Sequence, residues 1–228
     1  MSERKAGTYG RIGVYGGTFD PLHNGHLEVA RAVARNFALD ELLIIPAHRP
    51  PHKNSRSISD AYHRYGMAVL ATLDEPRMKV STMEIEAPER PYTFETIERL
   101  RDVYGSQASL FFVMGADSFD ELNTWREPER ILANANLIVA ARPGYAMQAS
   151  SLSAAFTSNI IDLRERPDID VRLQGGQIND CRIFLTDYVN MDISATDIRR
   201  RRRDGETIEA MVPPRVVDYV EKYELYRR

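Results

Sequence analysis

Short apolar runs alternate along this chain with segments whose apolar residues recur at the helical period. Residues 11–16 (RIGVYG) read as a buried strand, and residues 26–37 place Leu27, Val33 and Phe37 on one helical face. The other predicted strands are 41–46, 78–86, 109–115, 136–141 and 182–186, and the other predicted helices are 60–74, 93–104, 117–122, 195–203 and 213–223. Alternating strands and helices predict an α/β fold with a doubly wound, mostly parallel sheet and helices on both faces.

The composition narrows the class of protein further. With 228 residues and 43% hydrophobic content, we expect one domain over 1–228, with a helical portion at about 195–228 packed on it. The net charge of −3 argues against general nucleic-acid binding. No run approaches the roughly 20 apolar residues of a membrane span, and the N-terminus MSERKAGTYGR lacks a signal-peptide core. The single cysteine, Cys181, excludes an intrachain disulfide, so a cytoplasmic location is expected.

The stretch GGTFDPLHNGH, residues 16–26, lies between the first predicted strand and the first predicted helix. Ligands of such sheets bind beyond the carboxyl ends of the strands. We expect the helix to begin near Asn24 or Gly25, so that its free N–H groups form an anion site. His23 and His26 then share one face of the first turn and can donate hydrogen bonds to phosphate oxygens. The stretch predicts a phosphate site that is neither the GxGxxG fingerprint nor a P-loop.

A second phosphate-binding feature lies at residues 193–199, which read ISATDIR. Ser194 or Thr196 can cap the start of the next helix. Arg199 lies in the first turns of that helix, where its planar guanidinium can reach a phosphate oxygen. For the arginines at 200–203 we expect a solvated helix face.

The two features resemble the GxFDPxHxGH and ISxTxIR motifs of the nucleotidylyltransferase superfamily, which implies a Rossmann-like fold and ATP as a substrate. Four more segments resemble bacterial nicotinate-nucleotide adenylyltransferases. They are 44–53 (IIPAHRPPHK), 91–97 (PYTFETI), 111–125 (FFVMGADSFDELNTW) and 139–144 (VAARPG). The resemblance therefore implies transfer of the adenylyl group of ATP to nicotinate mononucleotide, by direct in-line attack, in NAD biosynthesis. Mg²⁺ is expected with ATP, held mainly by substrate oxygens.

The resemblance also assigns roles to individual residues. The catalytic residues would be His23, His26 and Arg199. The ATP-binding residues would be Gly16, Gly17, Thr18, Phe19, His23, His26, Gly115, Asp117, Ile193, Ser194, Thr196 and Arg199. The nicotinate-nucleotide-binding residues would be Asp20, Lys53, Tyr92, Thr93, Trp125 and Arg142. Tyr92, Thr93 and Trp125 would surround the pyridine ring, with Thr93 and nearby backbone N–H groups bonding its carboxylate. His23 or His26 is expected to become protonated when ATP binds.

Several alternatives stay open on the residues alone. The family usually has Ser where this chain has Pro91, which lacks the hydroxyl and the N–H, so a dual-specificity or nicotinamide-preferring enzyme is an alternative. A phosphopantetheine adenylyltransferase, a non-catalytic nucleotide-binding regulator and an RNA-binding module are weaker ones. His48, His52 and His63 are expected in loops or on the surface rather than in a metal cluster. The sequence does not decide whether the chain forms a homo-oligomer.

Overall fold

The fold is built on a twisted parallel sheet. The computed structural model describes residues 10–48, 58–141, 154–164 and 182–227. Within these ranges the sheet has seven strands, and every neighbouring pair is parallel. Their spatial order is Met78–Val80, Glu41–Pro46, Arg11–Gly17, Ser109–Gly115, Asn136–Ala140, Ile183–Thr186 and Ile160–Asp162. The predicted doubly wound, Rossmann-like architecture is confirmed. The strand order reverses between Arg11–Gly17 and Ser109–Gly115, which is the switch point where ligands of such sheets bind.

The strands are Arg11–Gly17 (β1), Glu41–Pro46 (β2), Met78–Val80 (β3), Ser109–Gly115 (β4), Asn136–Ala140 (β5), Ile160–Asp162 (β6) and Ile183–Thr186 (β7). The helices are Asn24–Asn36 (α1), Ala61–Thr72 (α2), Thr93–Tyr104 (α3), Ala116–Asp120 (α4), Pro128–Asn134 (α5), Ala154–Thr157 (α6), Ala195–Arg203 (α7) and Pro214–Lys222 (α8). A 3₁₀ turn, Leu122–Thr124, follows α4. None of the helices in the described ranges is both long and apolar enough to cross a lipid bilayer.

Two apolar cores cover the two faces of the sheet. Strand residues alternate between them, so Val14 of β1 faces one core and Tyr15 faces the other. Helices α1, α2, α7 and α8 cover the Tyr15 face, which we call the α1 face. Helices α3 to α6 cover the Val14 face, which we call the α3 face. Because strands buried on both faces read as continuous apolar runs, the central strands were readable from the sequence.

The structure corrects the predicted element pattern at three places. The predicted extended segment 78–86 is a strand only to Val80, because the chain then turns and the Glu86 N–H bonds the Thr82 carbonyl. Helix α5, which was not predicted, begins at Pro128 with a proline-compatible first turn. Strand β6 is only three residues long and was not predicted either.

Some predictions fall on residues whose structure is not described. Lys53 and Arg142, predicted as substrate ligands, lie outside the described residues, as do His52 and Cys181. The same holds for most of the predicted loop at 47–59.

Candidate active site

Two cavities open at the carboxyl ends of β1 and β4, one on each face of the sheet. The α1 cavity has a volume of about 690 Å³ and is lined by the first turns of α1 and α7 together with Gly115 and Asp117. The α3 cavity has a volume of about 470 Å³ and is lined by Gly16 to Thr18, the first turn of α3, and residues near Trp125. Tyr15 lines one cavity and Gly16 the other, so the end of β1 separates the two. Both volumes suit nucleotide-sized ligands.

The two histidines of the opening motif are held against each other at the start of α1. His23 is the N-cap, and its Nδ1 accepts the backbone N–H of His26 at 3.4 Å. In return the backbone N–H of His23 donates to Nδ1 of His26 at 3.3 Å. The two rings stack with centroids 3.6 Å apart. This reciprocal arrangement is a capping box built from histidines, and it explains why the motif needs them three residues apart.

The hydrogen bonds also assign the tautomer of both rings. A nitrogen that accepts a hydrogen bond carries no proton, so each neutral ring has its proton on Nε2. Burial lowers the pKa of His23 to about 4, so the ring is neutral at pH 7. Protonating His23 would break its cap bond to His26, so the structure argues against the predicted protonation at His23. In this tautomer the Nε2–H of each ring is the N–H group that can donate to a phosphate oxygen.

The glycines around these histidines have packing reasons as well as ligand reasons. A Cβ at Gly25 would lie 3.2 Å from the His23 ring, and a Cβ at Gly17 would lie 2.9 Å from the Phe19 ring. Phe19 is buried, has φ 47° and packs edge-on against His26. A Cβ at Gly115, in contrast, would meet no atom of the described residues within 4 Å. Only the last of these glycines therefore leaves open space where a ligand could approach the backbone.

The second motif closes the same cavity from the other side. Ser194 caps α7 by accepting the Asp197 N–H at 3.1 Å, which resolves the predicted choice between Ser194 and Thr196. Ile193, Ser194 and Thr196 line the α1 cavity together with His23 and His26. The first motif ends at His26 and the second begins at Ile193, 167 positions later, and the fold brings both to one cavity.

Arg199 bonds back onto the opening motif. Its guanidinium donates to the Asp20 carbonyl at 2.8 Å and to the Thr196 hydroxyl at 3.4 Å. The arginines that follow do not form one uniform face. Arg200 and Arg201 pair with Asp197, whereas the Arg202 side chain is only 14% exposed and its buried Nε has no hydrogen-bond partner in the described part of the chain. The predicted solvated face is therefore wrong for Arg202.

Asp20 is buried in the opening motif and is not among the described residues that line either cavity. It is only 1% exposed, and its two carboxylate oxygens accept hydrogen bonds from the Tyr226 hydroxyl at 2.7 Å and the Ser59 N–H at 3.1 Å. Next to it, the buried guanidinium of Arg64 donates to three backbone carbonyls, those of Thr18, His48 and Ser59. Together these groups tie the opening motif to the C-terminus and to both flanks of residues 49–57.

The α3 cavity carries the predicted pyridine-site residues. Tyr92, Thr93 and Trp125 all line it, and Trp125 packs its edge on Phe112 with ring centroids 6.3 Å apart. Trp125 is thus partly core and partly cavity wall. Gly16, Gly17 and Thr18, predicted with ATP, lie on this cavity rather than beside the histidines.

Four further residues of the α3 cavity were not singled out from the sequence as site residues. Glu84 accepts a hydrogen bond from the Thr96 hydroxyl at 2.8 Å, and burial raises its pKa to about 7. His48, expected in a loop or on the surface, lines the cavity, and its buried Nδ1 has no hydrogen-bond partner among the described residues. Arg90 and Arg126 also line it. Nothing local marks them, since an isolated glutamate or arginine usually reads as surface.

The position of His63 also differs from the prediction of a loop or surface residue. His63 lies on α2, where its Nδ1 is 3.0 Å from the Tyr219 hydroxyl of α8. It is partly buried between two helices rather than in a loop. Among the described residues there is no group of three or more His, Cys, Asp or Glu side chains that could hold a metal ion.

The sequence and the fold of this chain are similar to those of known proteins. The cytidylyltransferase-like family profile matches residues 14–201. A probable nicotinate-nucleotide adenylyltransferase of a Thermoanaerobacter species is 38% identical over 218 residues, covering 96% of this chain and 95% of the relative. One from Thermus thermophilus is 35% identical over 217 residues, covering 95% and 100%. The Plasmodium falciparum nicotinic acid mononucleotide adenylyltransferase complexed with NaAD has a similar fold, with a TM-score of 0.70 at 18% identity over 96% of this chain and 98% of that one.

Proposed function

The chain belongs to the cytidylyltransferase-like family and, within it, to the nicotinate-nucleotide adenylyltransferases, and we propose that it joins ATP to nicotinate mononucleotide. The products are nicotinate adenine dinucleotide and pyrophosphate, a step of NAD biosynthesis. The observation that carries the proposal is the pair of cavities that adjoin at the ends of β1 and β4. Two nucleotides bound in adjoining cavities can present their phosphates to each other across the end of β1.

ATP occupies the α1 cavity in this proposal. The Nε2–H donors of His23 and His26, with the N–H groups that begin α1 and α7, face its phosphates. Arg199 is close enough to the motif to add a guanidinium when the triphosphate is present. Asp117 and the open space at Gly115 suit the ribose, since a carboxylate accepts from hydroxyls and Gly115 projects no side chain. We assign ATP binding to Ile193, Ser194 and Thr196 as well, because all three line the α1 cavity.

Nicotinate mononucleotide occupies the α3 cavity in this proposal. Its phosphate lies toward Gly16 and Thr18, next to the α1 cavity, and its pyridine ring lies toward Tyr92, Thr93 and Trp125. Trp125 offers an aromatic face or edge to the ring. Asp20 holds the opening motif, residues 16–26, in place through its hydrogen bond with Tyr226, and it does not bind the substrate directly in this proposal.

The chemistry follows from positioning and charge stabilisation. A phosphate oxygen of the mononucleotide attacks the α-phosphorus of ATP, and the bond from that phosphorus to the bridging oxygen breaks. The electron pair leaves with pyrophosphate, whose negative charge the histidine N–H groups and Arg199 stabilise. No covalent enzyme intermediate is needed, because the nucleophile belongs to the substrate.

Mg²⁺ enters this proposal with ATP. Asp117 is the carboxylate that lines the α1 cavity, so phosphate oxygens and water would supply most of the ion's ligands. A Mg²⁺ bound to the triphosphate neutralises charge on the leaving group. A cytoplasmic location stays a prediction from the sequence, which does not decide whether the chain forms a homo-oligomer.

The proposal is tested by product analysis. The purified protein with ATP, MgCl₂ and nicotinate mononucleotide should form nicotinate adenine dinucleotide and pyrophosphate in equal amounts. ATP binding without either product would favour the regulator, and formation of ADP and phosphate would contradict adenylyl transfer.

A further inference from the structure

The α3 cavity has two chemically different ends. One end lies at Gly16 and Thr18, where the cavity adjoins the α1 cavity, and the other lies at the first turn of α3 and Arg126. If the proposed function holds, the substrate phosphate must lie at the first end to reach ATP. A charged side chain at the far end therefore faces the pyridine ring and its substituent, not the phosphate.

Arg126 is held at this far end by Tyr92. Its guanidinium lies over the Tyr92 ring at 4.8 Å from the centroid and donates to the Tyr92 hydroxyl at 3.4 Å. In the part of the chain that the structure describes, no carboxylate lies within ion-pair distance of Arg126. Glu95 and Glu127 act on it only through space. Its charge is held in position by an aromatic ring and is still free to pair with an anion.

Arg130 provides an internal comparison. Its guanidinium lies over the Phe94 ring at 4.2 Å, in the same kind of stacked arrangement. Unlike Arg126, it donates to both carboxylate oxygens of Glu98, at 2.8 and 2.6 Å, and it does not line the cavity. Arg126 therefore presents to the α3 cavity a positive charge without an ion-pair partner among the described residues, whereas the charge of Arg130 is paired with Glu98 and lies outside the cavity.

The other arginine of the cavity has an acidic neighbour. Arg90 is one of the charges that act on Glu84, the partly buried carboxyl of the same cavity. Arg90 also has no stacking partner among the described rings. Arg126 is therefore the cation of this cavity that is best placed to bind a ligand anion.

We propose that Arg126 is a specificity-determining residue that makes the enzyme prefer a pyridine mononucleotide with a carboxylate over one with a carboxamide. The proposal rests on the proposed function and adds to it the group that discriminates. Pro91 supplies neither a hydroxyl nor a backbone N–H beside the ring. A guanidinium at Arg126 supplies a charge-assisted donor that a carboxylate uses fully and a neutral carboxamide does not.

The test compares kcat/KM for nicotinate mononucleotide and nicotinamide mononucleotide in the wild type and three variants. Arg126→Gln should lower kcat/KM for the acid about 10- to 100-fold, mainly through KM, and leave that for the amide within about twofold. Arg126→Lys should retain most of the preference because it keeps the charge. Arg130→Gln, the matched control, should leave the ratio of the two values unchanged.

The outcomes separate this inference from the proposed function. Equal losses for both acceptors in Arg126→Gln, or no loss for either, would overturn the specificity role while leaving adenylyl transfer intact. The same change of ratio in Arg130→Gln would also overturn it, as would a wild-type enzyme that uses both acceptors equally. A wild-type protein that adenylylates neither acceptor would contradict the proposed function itself.

Discussion

The imidazole rings of His23 and His26 lie 3.6 Å apart, and the Nδ1 of each ring accepts the backbone N–H of the other residue. One pair of side chains thereby caps α1, and both residues line the α1 cavity. The capping box sets the spacing of the two histidines. In the proposed function their Nε2–H groups are the donors to phosphate.

Replacing His26 with Ala should reduce turnover far more than stability. The variant loses one donor to the departing pyrophosphate, for which we expect a fall in kcat of about 100-fold or more. It also loses one cap hydrogen bond, which costs about 1 kcal/mol of helix stability. Steady-state kinetics and urea unfolding of the same preparations measure the two effects.

His63→Ala is the control for that variant. His63 of α2 bonds Tyr219 of α8 and is not among the residues that line either cavity in the described part of the chain. The kcat of the His63→Ala variant should therefore stay within about twofold of the wild-type value. Near-normal turnover in His26→Ala would remove His26 from the catalytic residues.

Gly115 and Gly17 should respond in opposite ways to the same added methyl group. In the ranges that the structure describes, a Cβ at Gly115 meets no atom within 4 Å, and the φ of Gly115 is −76°, so Gly115→Ala should fold normally and raise KM for ATP. A Cβ at Gly17 would lie 2.9 Å from the Phe19 ring, so Gly17→Ala should lose about 1 to 3 kcal/mol of unfolding free energy. Unchanged KM for ATP in Gly115→Val, the larger replacement, would show that no substrate comes close to this position.

Glu84 should make the protein less stable as the pH rises. Burial raises its pKa from 4.5 to about 7, so the folded state holds the proton more tightly than the unfolded state. The stability that the protonated Glu84 carboxyl contributes is fully present below about pH 4.5 and is lost as the pH rises through about 7. The hydrogen bond from the Thr96 hydroxyl and the charges of Arg64, Arg90 and Arg99 lower the pKa of Glu84, but the effect of burial is larger.

Glu84→Gln should therefore gain stability over the wild type at about pH 8, by on the order of 1 to 3 kcal/mol, and little at about pH 4. Urea unfolding at both pH values measures the difference. Glu86→Gln, which makes the same replacement at an exposed glutamate two residues along, is the matched control. A gain for Glu84→Gln that is the same at both pH values would mean that its ionisation is not the cause.

Tyr226 should stabilise the site from the far end of the chain. Its hydroxyl is a donor to the buried carboxylate of Asp20, so Tyr226→Phe should cost about 1 to 3 kcal/mol of unfolding free energy. Tyr223, 48% exposed on the same C-terminal segment, is the control, and Tyr223→Phe should have little effect. Equal unfolding midpoints for the two variants would contradict a structural bond between Tyr226 and Asp20.

The parts of the fold with strong local signals were predictable. The strand at 109–115 and the helix at 93–104 were predicted with the bounds that the structure shows, because their apolar periods are long and uninterrupted. The segment 78–86 alternates at Met78 and Val80 and again at Met83 and Ile85. The spacing of three between Val80 and Met83 interrupts that alternation, and a turn from Thr82 to Glu86 replaces the second half of the predicted strand. Helix α5 has too few apolar residues to be distinguished from a loop by period alone.

The candidate site was predictable where one short motif carries it, and less so where distant residues meet. His23, His26, Ser194 and Thr196 were placed together by two recognisable motifs. Asp20 was predicted as a ligand because it lies in the same motif, yet its partners Tyr226 and Ser59 are far away in sequence. Glu84 and Arg126 have ordinary neighbours along the chain, and only the fold turns them toward a cavity.

The most direct test measures pyrophosphate release with ATP and Mg²⁺ from nicotinate mononucleotide, nicotinamide mononucleotide and phosphopantetheine in parallel. The account predicts rapid release with nicotinate mononucleotide, a much lower kcat/KM with the amide, and none above background with phosphopantetheine. Release with none of the three, while ATP still binds, would contradict the central claim that the two cavities bring ATP and a pyridine mononucleotide together for reaction.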